Sequence, residues 1–379
     1  MSTCRYEHKT TITGLKETIS ALEFSPDGKG LTSGCEDGSI TIFSKSDWKP
    51  LHMFTDVLPS TSLVWHPQVE GLLFCGFKSG DVHTLRTNGP QASIKIWTDA
   101  SRRPINCLSH DPGRNVLAVG SGKDTILANY STQDEYTASW SKTCHLPPPP
   151  GLPQLHATKL PDPAAQSIHF LQGQDLLVVS YLHHGVMLGF IRYFLYSSQV
   201  TTFVDAGIGL LCLLSGKSRH GHVKWYLTFS YFPSGQSCLI ADQGVIAITN
   251  LFDGVDLYDL TNQGLVDSLR TTIVDNIITP IVSGRADLLI IGGSCGAVQW
   301  PCLKPLKDGK IVQALAYISK SNGRCLLAAG TSELGPQTVI TIWRSKQDCN
   351  QIIASGPKEI AVALWISLRK MFIAFLGFF

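Results

Sequence analysis

The stretch Phe24-Ser-Pro-Asp-Gly-Lys-Gly-Leu-Thr-Ser-Gly-Cys-Glu-Asp-Gly-Ser-Ile-Thr-Ile-Phe43 decides the fold. Leading into it, Thr18-Ile-Ser-Ala-Leu-Glu-Phe24 alternates apolar and polar side chains, as a strand with one buried face does. Ser25-Pro-Asp-Gly28 is turn chemistry: proline presets φ, and glycine accepts the positive φ that other residues resist. Leu31-Thr-Ser-Gly34 returns as a second strand, Asp37-Gly38 is a hairpin signal, and Ser39-Ile-Thr-Ile-Phe43 is a third strand. A sheet of a few short strands cannot bury its own faces, so it must stack on copies of itself.

Copies follow, aligned on the glycine of the second turn. Ser79-Gly80 comes after Leu63-Val-Trp-His-Pro67, and Gly122-Lys-Asp124 after Ile105-Asn-Cys-Leu-Ser-His-Asp-Pro112 and Val116-Leu-Ala-Val119. His184-Gly185 follows Asp175-Leu-Leu-Val-Val-Ser180. Asp253-Gly254 follows Phe232-Pro-Ser-Gly235 and Gly244-Val-Ile-Ala-Ile-Thr249. Cys295-Gly296 follows Asp287-Leu-Leu-Ile-Ile-Gly292, and Leu334-Gly335 precedes Thr338-Val-Ile-Thr-Ile-Trp343, which makes seven units. Gly38 to Gly80, Gly80 to Gly122 and Gly254 to Gly296 are each 42 residues apart. That is the period of about 40–45 residues of a four-stranded propeller blade. The gaps from Gly122 to Gly185 and from Gly185 to Gly254 are 63 and 69 residues, each one blade plus an insertion. A missed eighth blade is the alternative.

The chain resembles the WD-repeat (WD40) propeller family over roughly residues 10–346. Ser25-Pro-Asp-Gly28, Gly34-x-x-Asp37-Gly38 and Ile40-Thr-Ile-Phe43 carry the likeness, and Ile94-Lys-Ile-Trp97 and Ile340-Thr-Ile-Trp343 look like the family's third-strand ending. It is a divergent member. Only Gly221-His222 offers a Gly-His pair near a unit's start, and no unit ends in Trp-Asp. The resemblance puts Asp37 and Asp253 where a structural aspartate sits, with His222 a partner for Asp253. The fold class expected is all-β: a seven-bladed β-propeller over 1–346, with two inserted loops and a C-terminal apolar tail read as helical. Apolar packing between blades is expected to hold it together.

Composition agrees. Hydrophobic residues make up 44% of the 379 and charged residues 16%, against about 25% charged in ordinary globular chains. A net charge of +2 without a long basic run argues against nucleic acid as a partner. Arg102-Arg103 and the pair Lys217 and Arg219 read as solvated loop charges. The first ten residues contain no apolar core for a signal peptide, so a cytoplasmic or nuclear, reducing location is expected for the eleven cysteines. Cys35, Cys75, Cys107 and Cys295 fall in or beside strands, where a thiol packs as a small hydrophobe.

Other local signals are weaker. Gly120-Ser-Gly-Lys-Asp124 lacks the spacing and hydroxyl of a phosphate loop and reads as a blade turn. Asn129-Tyr-Ser131 spells a glycosylation site without a secretory route. His183-His184 and His220-Gly-His222 have no carboxylate or cysteine at a supporting spacing, so they read as structural rather than metal-binding. No catalytic, cofactor or metal-binding residue is singled out, and the chain is expected not to be an enzyme.

The insertions differ. Residues 147–163 begin with four prolines and add Pro153, Pro161 and Pro163, which favours an extended, stiff loop between blades or a docking peptide. Residues 187–220 are apolar and are expected to break a blade just after Gly185-Val186. They read either as a packed β-insertion or as translated non-coding sequence. Residues 360–379 are nearly all apolar and about one membrane helix long, but Arg369 and Lys370 sit at the centre. Tyr6-Glu-His-Lys-Thr-Thr-Ile12 alternates well enough to serve as a closing strand beside residues 338–343. The function expected is a monomeric interaction scaffold that binds other proteins without a cofactor. A membrane-tethered adaptor acting through residues 360–379 and an enzyme at the propeller channel are the alternatives.

Overall fold

The computed structural model describes residues 6–56, 58–88, 92–132, 138–146, 162–171, 176–182, 184–190, 223–227, 234–240, 244–262, 264–270, 277–284, 289–293, 298–299, 311–319, 324–331 and 338–345. They form antiparallel sheets in chain order. The first blade is Ile19–Phe24, Gly30–Cys35, Ser39–Ser44 and Pro50–Thr55; the second is Ser60–Trp65, Leu72–Phe77, Asp81–Arg86 and Ala92–Thr98. The third is Ile105–Asp111, Val116–Ser121, Asp124–Thr132 and Ala138–Leu146; the fourth is Ala164–Leu171, Leu176–Leu182, Gly185–Phe190 and Val223–Leu227. The fifth is Ser237–Ile240, Val245–Thr249, Gly254–Asp259 and Leu265–Arg270. Three described strands, Ile281–Ser283, Leu289–Gly292 and Val298–Gln299, form the sixth sheet. The last sheet joins Val312–Ser319, Cys325–Thr331 and Ile340–Ser345 to the N-terminal strand Tyr6–Ile12.

The first strand of each sheet lies against the first strand of the next, and Val312–Ser319 lies against Ile19–Phe24, which closes a propeller ring. Closure is covalently out of order: Tyr6 pairs with Ser345 and Ile12 with Ile340, as the alternation in residues 6–12 led us to expect. Arg344 clamps that seam by donating from Nε to Glu7 Oε1 at 2.9 Å. The otherwise open edge of Ile340–Ser345 is thereby paired.

The apolar cores sit between blades. Ile19, Leu22, Phe24 and Leu31 of the first blade pack with Ala316, Ala328 and Ile342 of the last. Val116 and Leu127 of the third pack with Ile168, Val179 and Tyr181 of the fourth. Each large side chain buried this way contributes roughly 1.5–3 kcal/mol, so the ring is held mainly by these layers. They demand close approach: a Cβ on Gly330 would stand 2.6 Å from Ile19 Cγ2. Gly38 has φ of 80° and backs onto the Asp56 carbonyl, so only glycine fits there.

Two local readings differ from the structure. Ile94-Lys-Ile-Trp97 lies on the fourth, outer strand of its blade, not the third; the third is Asp81–Arg86. Outer strands also alternate, and a tryptophan packed against the next blade mimics the expected ending. Gly244, with φ of 63°, lies in the turn between the first and second strands of the fifth blade. The fourth blade does not break at Val186, because Gly185–Phe190 runs on as its third strand and pairs with both Leu176–Leu182 and Val223–Leu227. The inserted stretch thus falls between a third and a fourth strand, and the proline-rich one between the third and fourth blades. The conformations of residues 147–161 and 191–222, and of the tail from 346, lie outside the described residues. No described helix is long and apolar enough to cross a membrane.

Candidate functional site

Because strands alternate in direction, two sets of loops gather at opposite ends of the ring. Turns between second and third strands share one end with the blade-to-blade connections. Turns between first and second strands share the other with turns between third and fourth. The polar side chains of the described residues cluster along the blade junctions between these ends.

The junction between second and third blades carries charges. Asp99, on the connection between the blades, accepts from Arg103 Nη2 at 3.1 Å and from the backbone amides of Ser101 and Arg103 at 2.9 and 3.1 Å. The same guanidinium also reaches Asp124 of the third blade. Arg102 meets Asp81 at 3.3 Å, and Lys95 meets the other oxygen of Asp81 at 3.2 Å. Arg102 is the exposed loop charge its sequence suggested, its side chain 64% accessible, whereas Arg103 is largely covered and bridges two blades. Burial would raise the Asp81 and Asp99 carboxyls, but hydrogen bonds from Thr98, Ser79 and Arg103 outweigh it and hold both below the usual range.

At the opposite end of this junction, His66 and His110 lie 4.4 Å apart between ring centroids, with His110 stacked on Phe74 at 5.5 Å. His66 Nδ1 accepts from the amides of Gln68 and Val69 at 3.2 and 2.9 Å, which caps the turn. Asp111 makes the same kind of cap, accepting from Gly113 at 2.9 Å, and Ser25 holds its own turn by accepting from Gly30 at 2.8 Å. Three residue types thus do one job at equivalent positions. Burial pushes both imidazoles down, His110 to about 4, so the pair is neutral near pH 7.

Among the described residues, the polar cluster at the junction between fourth and fifth blades holds no charged group. Ser237 Oγ lies 2.6 Å from the hydroxyls of Ser167 and Ser180 and 3.1 Å from His169 Nε2. His169 Nε2 donates to the Ser237 carbonyl at 2.9 Å, and burial pushes its pKa down to about 4. A serine beside an imidazole has the makings of a nucleophile and base. Here the serine is buried and its oxygen is already held by two hydroxyls at a sheet junction, so the cluster fastens blades.

A third element repeats around the ring. Ser20, in a bulge of the first strand, donates to Gly34 O at 3.0 Å and to the Ser60 carbonyl of the next blade. Thr61 does the same toward Gly76 O, at 3.0 Å, and the Ile105 carbonyl. The register places Asn106, Gln166 and Gln313 in the equivalent bulges. Gln236 and Thr279 stand just ahead of the residues that pair at the same level, Ser237 and Pro280. Sequence reasoning missed this series. Its signal is one hydrogen-bonding side chain at a fixed offset before each second-strand pairing partner, visible only once the blades are in register.

Remaining sequence candidates fall as follows. Asp37 accepts from the Ser39 amide at 2.9 Å, and Asp253 accepts from Asn250 at 2.7 Å. His222, its expected partner, lies outside the described residues, as do His183, His220, Lys217 and Arg219. His184 is a buried turn residue whose Nδ1 lies 2.8 Å from the Leu182 carbonyl. Gly120–Asp124 is indeed a hairpin, with Gly122 at φ 55° between Val116–Ser121 and Asp124–Thr132. Cys35, Cys75, Cys107 and Cys238 are free and buried, and burial pushes the Cys35 thiol up to about 11. Cys325 departs from the plain-thiol expectation: it is disulfide-bonded. Glu23, on the innermost strand of the first blade, is pushed up to about 8 by desolvation, which leaves it uncharged near pH 7.

Residues 6–44 match the family model WD domain, G-beta repeat. That stretch is similar to a WD repeat. Its span covers the closing strand of the last blade, Tyr6–Ile12, and the first three strands of the first blade. The matched unit is thus offset by one strand from the blade and ties the last sheet to the first. The match and the closed ring of sheets are consistent with a WD-repeat protein.

Proposed function

We propose that this chain is a non-catalytic scaffold for protein–protein interaction, a seven-bladed WD-repeat ring acting as a monomer. One observation carries the reading: the polar clusters with chemical potential are engaged in fastening blades. The Ser237–His169 contact, the Arg103 bridge and the His66–His110 pair all span or cap blade junctions. What remains outward is a set of short turns on a rigid ring, the arrangement in which loops bind and the scaffold positions them. Affinity capture with the full chain, compared with versions lacking 147–163 or 187–220, tests it. A defined set of proteins retained by both deletions supports binding through the ring itself. Capture of nothing above control, or turnover of a substrate by the purified protein, sinks the reading.

The apolar run at 360–379 motivates a second reading, a scaffold tethered to a membrane by its tail. Carbonate-resistant membrane association that is lost on truncation at residue 358 supports it, and a fully soluble full-length protein refutes it.

A further inference from the structure

The turn between second and third strands of the fifth blade differs from its counterparts. In the first three blades those turns place polar or small residues at the tip: Asp37, Ser79 and Lys123. In the fifth, the chain runs Asn250-Leu-Phe-Asp-Gly254. Leu251 adopts φ of 53°, a left-handed conformation that a leucine rarely takes. Its side chain is turned inward and buried, and Phe252 is pushed outward to 61% exposure. No other large apolar side chain among the described residues is as exposed.

One side chain fixes this shape. Asn250, itself buried, accepts through Oδ1 from the amides of Phe252, Asp253 and Gly254 at 3.1, 3.0 and 2.9 Å. Its Nδ2 donates to Asp253 Oδ1 at 2.7 Å and Asp256 Oδ2 at 3.3 Å. The Asn250 amide donates to the Gly254 carbonyl at 2.9 Å. Strain that is over-determined by its surroundings and ends in an exposed aromatic is a mark of a working surface. The charges beside it are mostly acidic. Asp253 lies in the turn and Asp256 on the third strand just after it, with Asp259 at that strand's far end and Asp267 on the neighbouring fourth strand. The described base there is Arg270, 86% exposed and only loosely placed 3.7 Å from Asp253.

We propose that residues 250–254 form a preorganised docking knob for a partner segment that offers an apolar socket bordered by Lys or Arg. This rests on the scaffold reading and names the surface it uses. Phe252 fills the socket, Asp253 and Asp256 attract the bases, and Asn250 removes the ordering cost that a loose turn would incur on binding.

The test pans a phage-displayed library of short random peptides on the folded full-length chain. Enriched peptides are then made with a fluorescent label and titrated by anisotropy. Expected are peptides with an aromatic or aliphatic residue next to Lys or Arg, bound at least about tenfold more weakly by Phe252→Ala than by the natural chain. Asp253→Asn should weaken them a few-fold, and about 0.5 M NaCl should remove most of that difference. Asn250→Ala should weaken them while Phe252 is still present. Phe252→Ala should change Tm little, because most of the side chain faces solvent. Enriched peptides that bind Phe252→Ala and Asp253→Asn as well as the natural chain overturn the knob but leave the scaffold reading standing. Enrichment of acidic peptides, or of none, also overturns the knob, and the affinity capture above then decides the scaffold separately.

Discussion

The junction between second and third blades and the junction between fourth and fifth solve one problem with two chemistries. Both must fasten two twisted sheets whose apolar faces supply most of the attraction but no registration. The first uses Arg103 spanning Asp99 and Asp124, near the end of the ring where the connections lie. The second uses Ser167, Ser180 and His169 converging on Ser237 within the sheet interface. Asp99 is covered by its own partners rather than by core, so salt and water reach its surroundings. Ser237 is enclosed by strands. The difference teaches that a propeller need not repeat its polar glue, provided each junction satisfies its own buried groups.

The largest expected effect breaks the neutral junction. Ser237→Val removes the hydroxyl on which two hydroxyls and the His169 imidazole converge; His169 keeps the Ser237 carbonyl and Ser167 the Ser237 amide, but each loses a partner and Ser180 loses its contact with Ser237. Leaving such groups short of a partner costs roughly 1–3 kcal/mol each where they cannot reach water, so a loss of about 3 kcal/mol is expected. A urea titration checks it, and a shift below about 1 kcal/mol would mean the hydroxyls contribute little.

Acid separates the two junctions next. The folded-state pKa of His169 is about 4, below the ordinary 6.5, so the unfolded chain takes up the proton first. Its contribution is complete above pH 6.5 and is lost as pH falls toward 4. The Asp81 and Asp99 carboxyls are held below their ordinary 3.8, so their contribution is present above that pH and lost only beneath it. His66 and His110 share the histidine sign at the far end of the charged junction. The histidines should therefore cost stability between pH 6.5 and 4, against an opposite contribution from Glu23, whose raised carboxyl gains stability as pH falls below 8; relative to the natural protein, His169→Gln should remove about 1–2 kcal/mol of the acid loss, measured by urea titration at several pH values. An unchanged slope would remove His169 from the acid response.

This contrast was only partly legible in the sequence. The strand rhythm and turn glycines at Gly38, Gly80, Gly122, Gly185 and Gly254 marked the blades, because a period-2 pattern and a positive φ are local requirements. The closing strand was legible for the same reason. The junction clusters were not: Ser167 and Ser237 are 70 residues apart, and only register brings them together. Arg103 looked like loop charge because its partners Asp99 and Asp124 are set apart on the interblade connection and the third blade. Ile94–Trp97 was misplaced by one strand because alternation does not say whether a strand is third or fourth. Phe252 drew no notice because a phenylalanine in a strand-rich chain reads as core.

The charged junction should answer to salt where the neutral one does not. Arg103→Met keeps the aliphatic stem but strands Asp99 and Asp124, and a loss of about 1–2 kcal/mol is expected at low salt. In about 1 M NaCl that loss should shrink by half or more, while the Ser237→Val loss stays constant. Equal salt dependence of the two variants would erase the distinction drawn above.

The smallest effect sets the floor for the comparison. Lys29 bridges Asp27 at 3.1 Å and Glu70 of the second blade at 3.9 Å, so on distance alone it is a junction contact like Arg103. Its side chain is 78% exposed, against 30% for Arg103. Two long side chains held in water gain little attraction and lose rotamer freedom, so such pairs contribute next to nothing. Lys29→Ala should leave Tm and the urea midpoint unchanged at any salt. If it lowered either as much as Arg103→Met does, cover by neighbouring groups would not be what gives an ion pair its value at these junctions, and the charged and neutral clusters would differ in composition alone.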